Sequence, residues 1–541
     1  MKRFFYGAGI LFLVTILCIF LMEKTNLLGL KTFTMTVQFS KDPDTISLSW
    51  EPLPYPCFYR VDTAIKITEA EAFSYQHVKT DFTTALTHPI ISAAVPLYYR
   101  VTAYGILGAI TAPSEWVHTP YCETEAPIPI SHYTEEHPAS LMPFLVWHSM
   151  PNAVLYELEL LSAPPEQEGG TALSQTNHIA STRRIFTNGW QADLRSFSAV
   201  PKIYWRVRAL DMNREPIGEF STAAPIVLSK DEKLPTCPLP NTFDTGTSYR
   251  QPIYPVYQWI PLHDVRQYEV ELLTEPPTEP YGKMPDPNRV WAQTTTGVNA
   301  IYDEYARPYA GIYYWRVRGI DAESNTVGTW SDTASFMVDP TKRKRIYAAI
   351  LGDSITHGGG AISNSPALPE YSYTTYLSFD CLNLGRSGDT SHTTLERFDA
   401  DVLPIRPLNL LILTGSNSLR DDQISAQDII EDLSHIQEKC IENHIHPVFL
   451  TILPLNPNAI ALAFQTETDP AWHDKLHQVN AWIRTQDHYI DLEPYFYDET
   501  ETILAPMMST DGLHPDIQGK LHMAEIINAH RDQLRERTFF E

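Results

Sequence analysis

Ile346-Tyr347-Ala348-Ala349-Ile350-Leu351-Gly352-Asp353-Ser354-Ile355 sets an uncharged, apolar run directly ahead of a turn and a serine. Such a run, closed by Gly-Asp, predicts a buried parallel strand. A serine just beyond the carboxyl end of that strand lies where open α/β sheets build their sites. A serine hydroxyl is a weak nucleophile. It needs a base to take its proton and a carboxylate to orient the base. About 160 residues further on, Asp511-Gly512-Leu513-His514 supplies both. Ser354, His514 and Asp511 are therefore the candidate nucleophile, general base and orienting acid.

Taken singly, these motifs are weak, since Gly-Asp-Ser is commonly a turn and Asp-x-x-His commonly a cap. Oxyanion donors strengthen the assignment, and two segments offer them. Leu382-Asn383-Leu384-Gly385-Arg386-Ser387-Gly388-Asp389-Thr390 follows the second predicted strand, and Leu410-Leu411-Ile412-Leu413-Thr414-Gly415-Ser416-Asn417 ends the third. A glycine lets a backbone N–H approach an oxyanion, and an asparagine amide adds a donor. Further apolar runs at Val448–Leu453 and Tyr489–Leu492 alternate with helical patterns over Gln423–Glu442, Ala471–Arg484 and Asp516–Arg535. Strands alternating with helices predict a three-layer α/β domain with a parallel sheet.

The four blocks together, in this order, resemble the SGNH hydrolases, also called the GDSL esterase/lipase family, over residues 346–541. The resemblance implies a flavodoxin-like α/β fold and a serine esterase. It makes Ser354 the nucleophile, His514 the base and Asp511 its partner, with an oxyanion hole of the Ser354 N–H, the Gly388 N–H and the Asn417 amide. It requires neither cofactor nor metal. Two positions depart from the family pattern: Ser416 stands where many relatives have glycine, and Ser418 where many have aspartate. A Gly-x-Ser-x-Gly elbow is missing, which argues against the α/β-hydrolase alternative.

At the other end, Lys2 and Arg3 precede Phe4–Met22, a stretch without charge. As a helix it would span about 28 Å, close to a bilayer core. No small-x-small cleavage site follows, so residues 1–30 are expected to form a cytoplasmic tip and signal-anchor transmembrane helix. The basic residues would keep the N-terminus inside and export the rest to a periplasm or cell surface. Secretion after signal cleavage is the alternative.

Between anchor and hydrolase, about 320 residues repeat with a period of about 100–110. Trp50, Trp147 and Trp259 each lie in a short strand ahead of a Pro-containing turn. About fifty residues later come Tyr98-Tyr99-Arg100-Val101, Tyr204-Trp205-Arg206-Val207-Arg208 and Tyr314-Trp315-Arg316-Val317-Arg318. A weaker echo is Ser114-Glu115-Trp116, Gly218-Glu219-Phe220-Ser221 and Gly328-Thr329-Trp330-Ser331. The pattern predicts three all-β sandwiches at 31–125, 126–232 and 233–340, and they resemble fibronectin type III domains. The tryptophans are expected in the cores. The arginines, alternating with them, are expected on the opposite, solvated face, available for glycan contact. Three sandwiches in line would be a spacer on the order of 100 Å, ending at the basic linker Thr341–Arg345.

Sixty-five acidic against forty basic residues give a net charge of −25, which disfavours nucleic acid and anionic membrane surfaces as partners. Six cysteines make no disulfide scaffold. Cys57 and Cys122 share a sandwich, but their spacing is not diagnostic, and Cys237, Cys381 and Cys440 are expected as buried thiols. His132 with His137 and His444 with His446 fit no strong metal spacing. The expected function is an anchored extracytoplasmic esterase removing acyl groups, acetyl foremost, from polysaccharide. A second reading puts a lysophospholipid or acyl thioester in the same site. A third, of another class, makes the protein an adhesion scaffold with a relic hydrolase domain.

Overall fold

The computed structural model describes residues 35–536 apart from 40–45, 54–55, 70–71, 91–96, 106–107, 119–125, 148, 151–152, 168–169, 201, 230–236, 242–251, 298, 308–310, 338–345, 361 and 363–370. The proposed anchor Phe4–Met22 and the linker Thr341–Arg345 lie outside these residues. Among the described residues no helix is long and apolar enough to cross a membrane. The chain divides into two compact units, residues 1–124 and 125–541.

In the first unit, two antiparallel sheets face each other. Met35–Phe39, Ile46–Trp50 and Thr87–Ile90 form one, while Phe58–Glu69 lies between Ala72–Thr83 and Leu97–Gly105 in the other. Leu48 and Trp50 from one sheet pack with Tyr59, Val61, Tyr99 and Val101 from the other. Cys122 lies outside the described residues, and Cys57 is a free thiol.

The second unit begins with two more β modules built on the same plan. Leu155–Leu161 pairs with Lys202–Leu210, and Gln267–Leu273 with Ile312–Ile320. Each of the three modules repeats one small device. Tyr59, Tyr156 and Tyr268 accept a hydrogen bond from the N–H six residues earlier, at Leu53, Met150 and Leu262. Their rings lie 5.2–5.3 Å from Trp50, Trp147 and Trp259. The tryptophans are core residues, as the repeat predicts.

The arginines correct the expectation. Arg206, Arg208, Arg316 and Arg318 do face away from those cores, yet they are only 1–8 % exposed. Glu159 stands directly across from Arg206 and Glu157 from Arg208, and Glu271 and Glu269 oppose Arg316 and Arg318 in the same way. The guanidiniums bond these carboxylates at 2.5–2.8 Å. Loop carbonyls of Thr171 and Ala172, and of Glu279, Pro280 and Lys283, take their remaining donors. Phe220 covers one pair of arginines and Trp330 the other, at 4.3–4.8 Å. Period-2 alternation fixed the face correctly, but a loop and an aromatic lid bury it, so these arginines are not a glycan surface.

The C-terminal sheet has five parallel strands. Ala348–Gly352 lies between Cys381–Gly385 and Asn409–Leu413, followed by His446–Leu450 and Tyr489–Ile490. Side chains alternate between two cores: Ala349, Leu351, Leu410 and Ile412 enter one, and Ala348, Ile350, Leu411 and Leu413 the other. Helices Ala426–Glu442 and Trp472–Ile483 cover the first face, and Ile517–Ala529 the second. This is the three-layer α/β arrangement expected from the alternating pattern. Cys440 is buried, whereas Cys237 and Cys381 are only partly so.

One boundary is not where the sequence suggested an independent spacer. Ile253 and Tyr254 of the third module belong to the same core as Ala349, Leu382 and Phe398 of the α/β domain. The Ile253 N–H donates to the Asn383 carbonyl at 3.1 Å. The third module is thus packed on the α/β domain.

Candidate active site

The sheet places the site by its register. Gly352 ends the strand Ala348–Gly352 with Gly385 on one side and Leu413 on the other, so three loops leave the same carboxyl edge side by side. They carry Ser354, Gly388 and Asn417. Asp353 caps the short helix Ser354–His357 by accepting from the Ile355 N–H at 3.0 Å, which holds Ser354 at the helix's first position.

The late Asp511–His514 turn is fixed from within. Asp511 Oδ1 accepts from the N–H groups of Leu513 and His514 at 2.8 and 2.7 Å. Gly512 adopts φ +77, and a Cβ there would lie 2.5 Å from the Asn456 carbonyl, so only glycine makes this turn without strain. The turn aims the ring: His514 Nδ1–H donates to Asp511 Oδ2 at 2.8 Å, leaving Nε2 to accept from Ser354 Oγ–H at 2.7 Å. Ser354 and His514 are 8 and 6 % exposed and Asp511 is fully buried. Burial alone would raise the Asp511 pKa. The neighbouring His514 charge and the hydrogen bonds from His514 and Leu513 outweigh it and hold the carboxyl below its ordinary value. The three predicted residues are joined in one line.

The predicted oxyanion donors border the same edge. Gly388 is exposed, at φ +89 with open space around it. Among the described residues neither the Ser354 nor the Gly388 N–H has a protein acceptor. Asn417 Nδ2 donates one hydrogen to the Asp389 carbonyl at 2.9 Å, which fixes the amide and leaves its second hydrogen to donate elsewhere. The two departures from the family pattern have structural work. The Ser416 hydroxyl donates to Asp353, and Ser418 Oγ accepts from the Ser391 N–H at 2.9 Å. Phe464 stands edge-on to the His514 ring, 5.9 Å between centroids.

Sequence reasoning missed a second layer of buried polar groups. Asp353 is buried with its pKa raised: desolvation outweighs the Ser416 and Ile355 hydrogen bonds and the His514 charge. Lys520 is fully buried and donates to the Ile355 carbonyl. Desolvation brings it down to about 7 against the pull of Asp353, Asp511 and Asp516. Arg397 bonds Asp389 and Asp401, and Tyr254 O–H donates to Asp401 at 2.9 Å. His357 joins the Ser354 helix to the Gly388 loop. These residues carry no motif, because their partners lie up to 165 residues away in the chain.

Residues 350–520, about a third of the chain, match the family model described as GDSL-like lipase/acylhydrolase. A comparison with curated proteins returned no match. Among solved structures, the chain is similar to a GDSL-like lipase from Bacteroides thetaiotaomicron, with 21 % identity over 34 % of this chain and 87 % of that one, TM-score 0.29. It is also similar to a lipase/acylhydrolase from Enterococcus faecalis, with 20 % identity over 35 and 98 %, TM-score 0.28. A third is a catalytic mutant of an acetylxylan esterase from Geobacillus stearothermophilus, with 18 % identity over 35 and 96 %, TM-score 0.26. Residues 350–520 are an esterase domain of the GDSL-like lipase/acylhydrolase family.

Proposed function

We propose that this protein hydrolyses acyl esters, acetyl foremost, on cell-surface or environmental polysaccharide, through an acyl-enzyme on Ser354. The observation that carries the chemistry is the unbroken line Ser354–His514–Asp511, with both bonds under 3 Å. Ser354 Oγ attacks the ester carbonyl as its proton passes to His514 Nε2. Asp511 stabilises the resulting imidazolium. The carbonyl oxygen, now negative, is held by the Ser354 and Gly388 N–H groups and the free Asn417 amide hydrogen. His514 then gives its proton to the departing alcohol. Water, deprotonated by the same ring, releases the acid and restores Ser354.

The polysaccharide assignment is supported by the β modules ahead of the catalytic domain, whose two-sheet cores suit the fibronectin type III resemblance. The uncharged Phe4–Met22 segment supports anchoring with the remainder outside the cell. A lysophospholipid or acyl-thioester substrate is the second reading, favoured if long acyl chains are preferred.

The test is turnover of p-nitrophenyl esters from acetate to palmitate by residues 30–541, with Ser354→Ala alongside. Acetate turnover lost in the variant supports the proposal, and a long-chain preference selects the lipid reading. Absence of Ser354-dependent turnover together with absence of fluorophosphonate labelling at Ser354 would overturn the enzymatic assignment in favour of a scaffold.

A further inference from the structure

The third β module reaches the back of the Gly388 loop through a chain of hydrogen bonds whose direction is fixed. The Ser387 N–H donates to His357 Nδ1 at 3.1 Å, so Nδ1 carries no proton. His357 Nε2–H therefore faces the Tyr254 carbonyl, which can only accept, at 2.8 Å. The Ser387 hydroxyl lies 2.9 Å from the same Nδ1 and donates to it. The order is Ser387 to His357 to the Tyr254 carbonyl, and the Tyr302 ring packs on the imidazole. Both tyrosines belong to the third module. His357 sits on the nucleophile's helix, and Ser387 immediately precedes Gly388.

The surroundings agree with a neutral, fixed ring. His357 is 1 % exposed, and desolvation brings it down to about 4, aided by the charges of Arg397 and Lys520 and opposed by the Tyr254 carbonyl. Tyr302 packs on it at 5.9 Å, and burial pushes the Tyr302 hydroxyl up to about 12. Tyr254 lies against the guanidiniums of Arg386 and Arg397 at 5.5 and 5.6 Å. Arg386 directly precedes Ser387, so the loop is held from both sides.

We propose that Tyr302 and His357 are positioning residues that set the Gly388 N–H toward the oxyanion, which makes the third β module part of the catalytic apparatus. Neither touches the reacting atoms. Gly388 has open space around it and an unrestricted backbone, so the direction of its N–H depends on how Ser387 is held. An oxyanion donor acts on the transition state more than on the bound ester, so a misaimed Gly388 lowers kcat and spares KM. The proposal rests on the esterase reading above.

The experiment compares Tyr302→Leu, His357→Gln and His357→Asn with Ser354→Ala in the full chain. It reads kcat and KM on p-nitrophenyl acetate, the rate of fluorophosphonate labelling, and Tm. Asparagine places an oxygen where Nδ1 accepts from Ser387, and glutamine places an amide where Nε2–H meets Tyr254. Tyr302→Leu, which removes the ring packed on His357, and His357→Gln should lower kcat and the labelling rate on the order of tenfold, less than deletion of a whole oxyanion donor, with KM little changed. His357→Asn should retain more activity than His357→Gln. The proposal is overturned if His357→Gln equals or exceeds His357→Asn, if kcat is unchanged in Tyr302→Leu, or if the loss falls on KM alone. Tyr302→Leu leaves His357 itself in place, so that arm stands even where a His357 variant fails to fold. Turnover surviving in Ser354→Ala would overturn the esterase reading itself, a result distinct from neutral positioning variants beside an inactive Ser354→Ala.

Discussion

The second and third β modules carry the same internal ladder and make different use of their outer surfaces. In each, two arginines on one strand meet two glutamates on the next, closed by an aromatic lid. The second module's ladder is an internal matter of that module. The third module adds Ile253 and Tyr254, which enter the core and the polar network of the hydrolase domain, and Tyr302, which packs on His357. The same scaffold thus serves once as a β module and once as a module packed on the hydrolase domain. What distinguishes the two is three side chains outside the repeat.

The largest expected effect tests the shared part. Arg206→Met leaves the buried Glu159 with His178 and the Ser174 N–H as partners, and should cost about 3–5 kcal/mol. Arg316→Met should fall toward the lower end of that range, because Arg289 still reaches Glu271. Chemical denaturation measures both. Below their melting temperatures, only the Arg316 variant should also lower esterase activity. Equal activity in the two would break the comparison.

His357 supplies a pH test with a definite sign. Its folded pKa, about 4, lies below its ordinary 6.5, so the unfolded chain takes up the proton first. The stabilisation is complete above pH 6.5 and is lost as pH falls toward 4, on the order of 3 kcal/mol in all. His357→Asn should flatten the stability profile over that window in denaturant titrations.

Tyr254→Phe removes a hydroxyl that donates to the buried Asp401 carboxylate, with an expected cost of about 2 kcal/mol and a reduced kcat. Its foil is Tyr156→Phe in the second module, which loses one bond from the Met150 N–H, about 1 kcal/mol, and should leave kcat unchanged. At the lids, Phe220→Leu and Trp330→Leu each remove stacking on two arginines, about 1 kcal/mol, added to the cost of the buried ring volume lost. A drop in activity from Phe220→Leu would show that the second module also reaches the site.

Ser354, Asp511, His514, Gly388 and Asn417 were legible because each belongs to a short block tied to a strand end or a turn. Local spacing fixes what such a residue can do before the chain folds. Four of the five parallel strands were equally legible, since a strand buried on both faces has no room for charge; the fifth, Cys381–Gly385, overlaps the block expected to follow a strand. The repeat of Trp50, Trp147 and Trp259 disclosed three β cores for the same reason. Tertiary structure alone decided the rest. Arg206 and Arg316 alternate as solvent-facing residues do, and only a loop and a lid arriving from elsewhere make them buried. His357 and Tyr302 are 55 residues apart by their numbering and become a pair only when the third module docks. Periodicity reports which face a side chain takes. What covers that face depends on contacts between segments distant in sequence, whose partners no local pattern names.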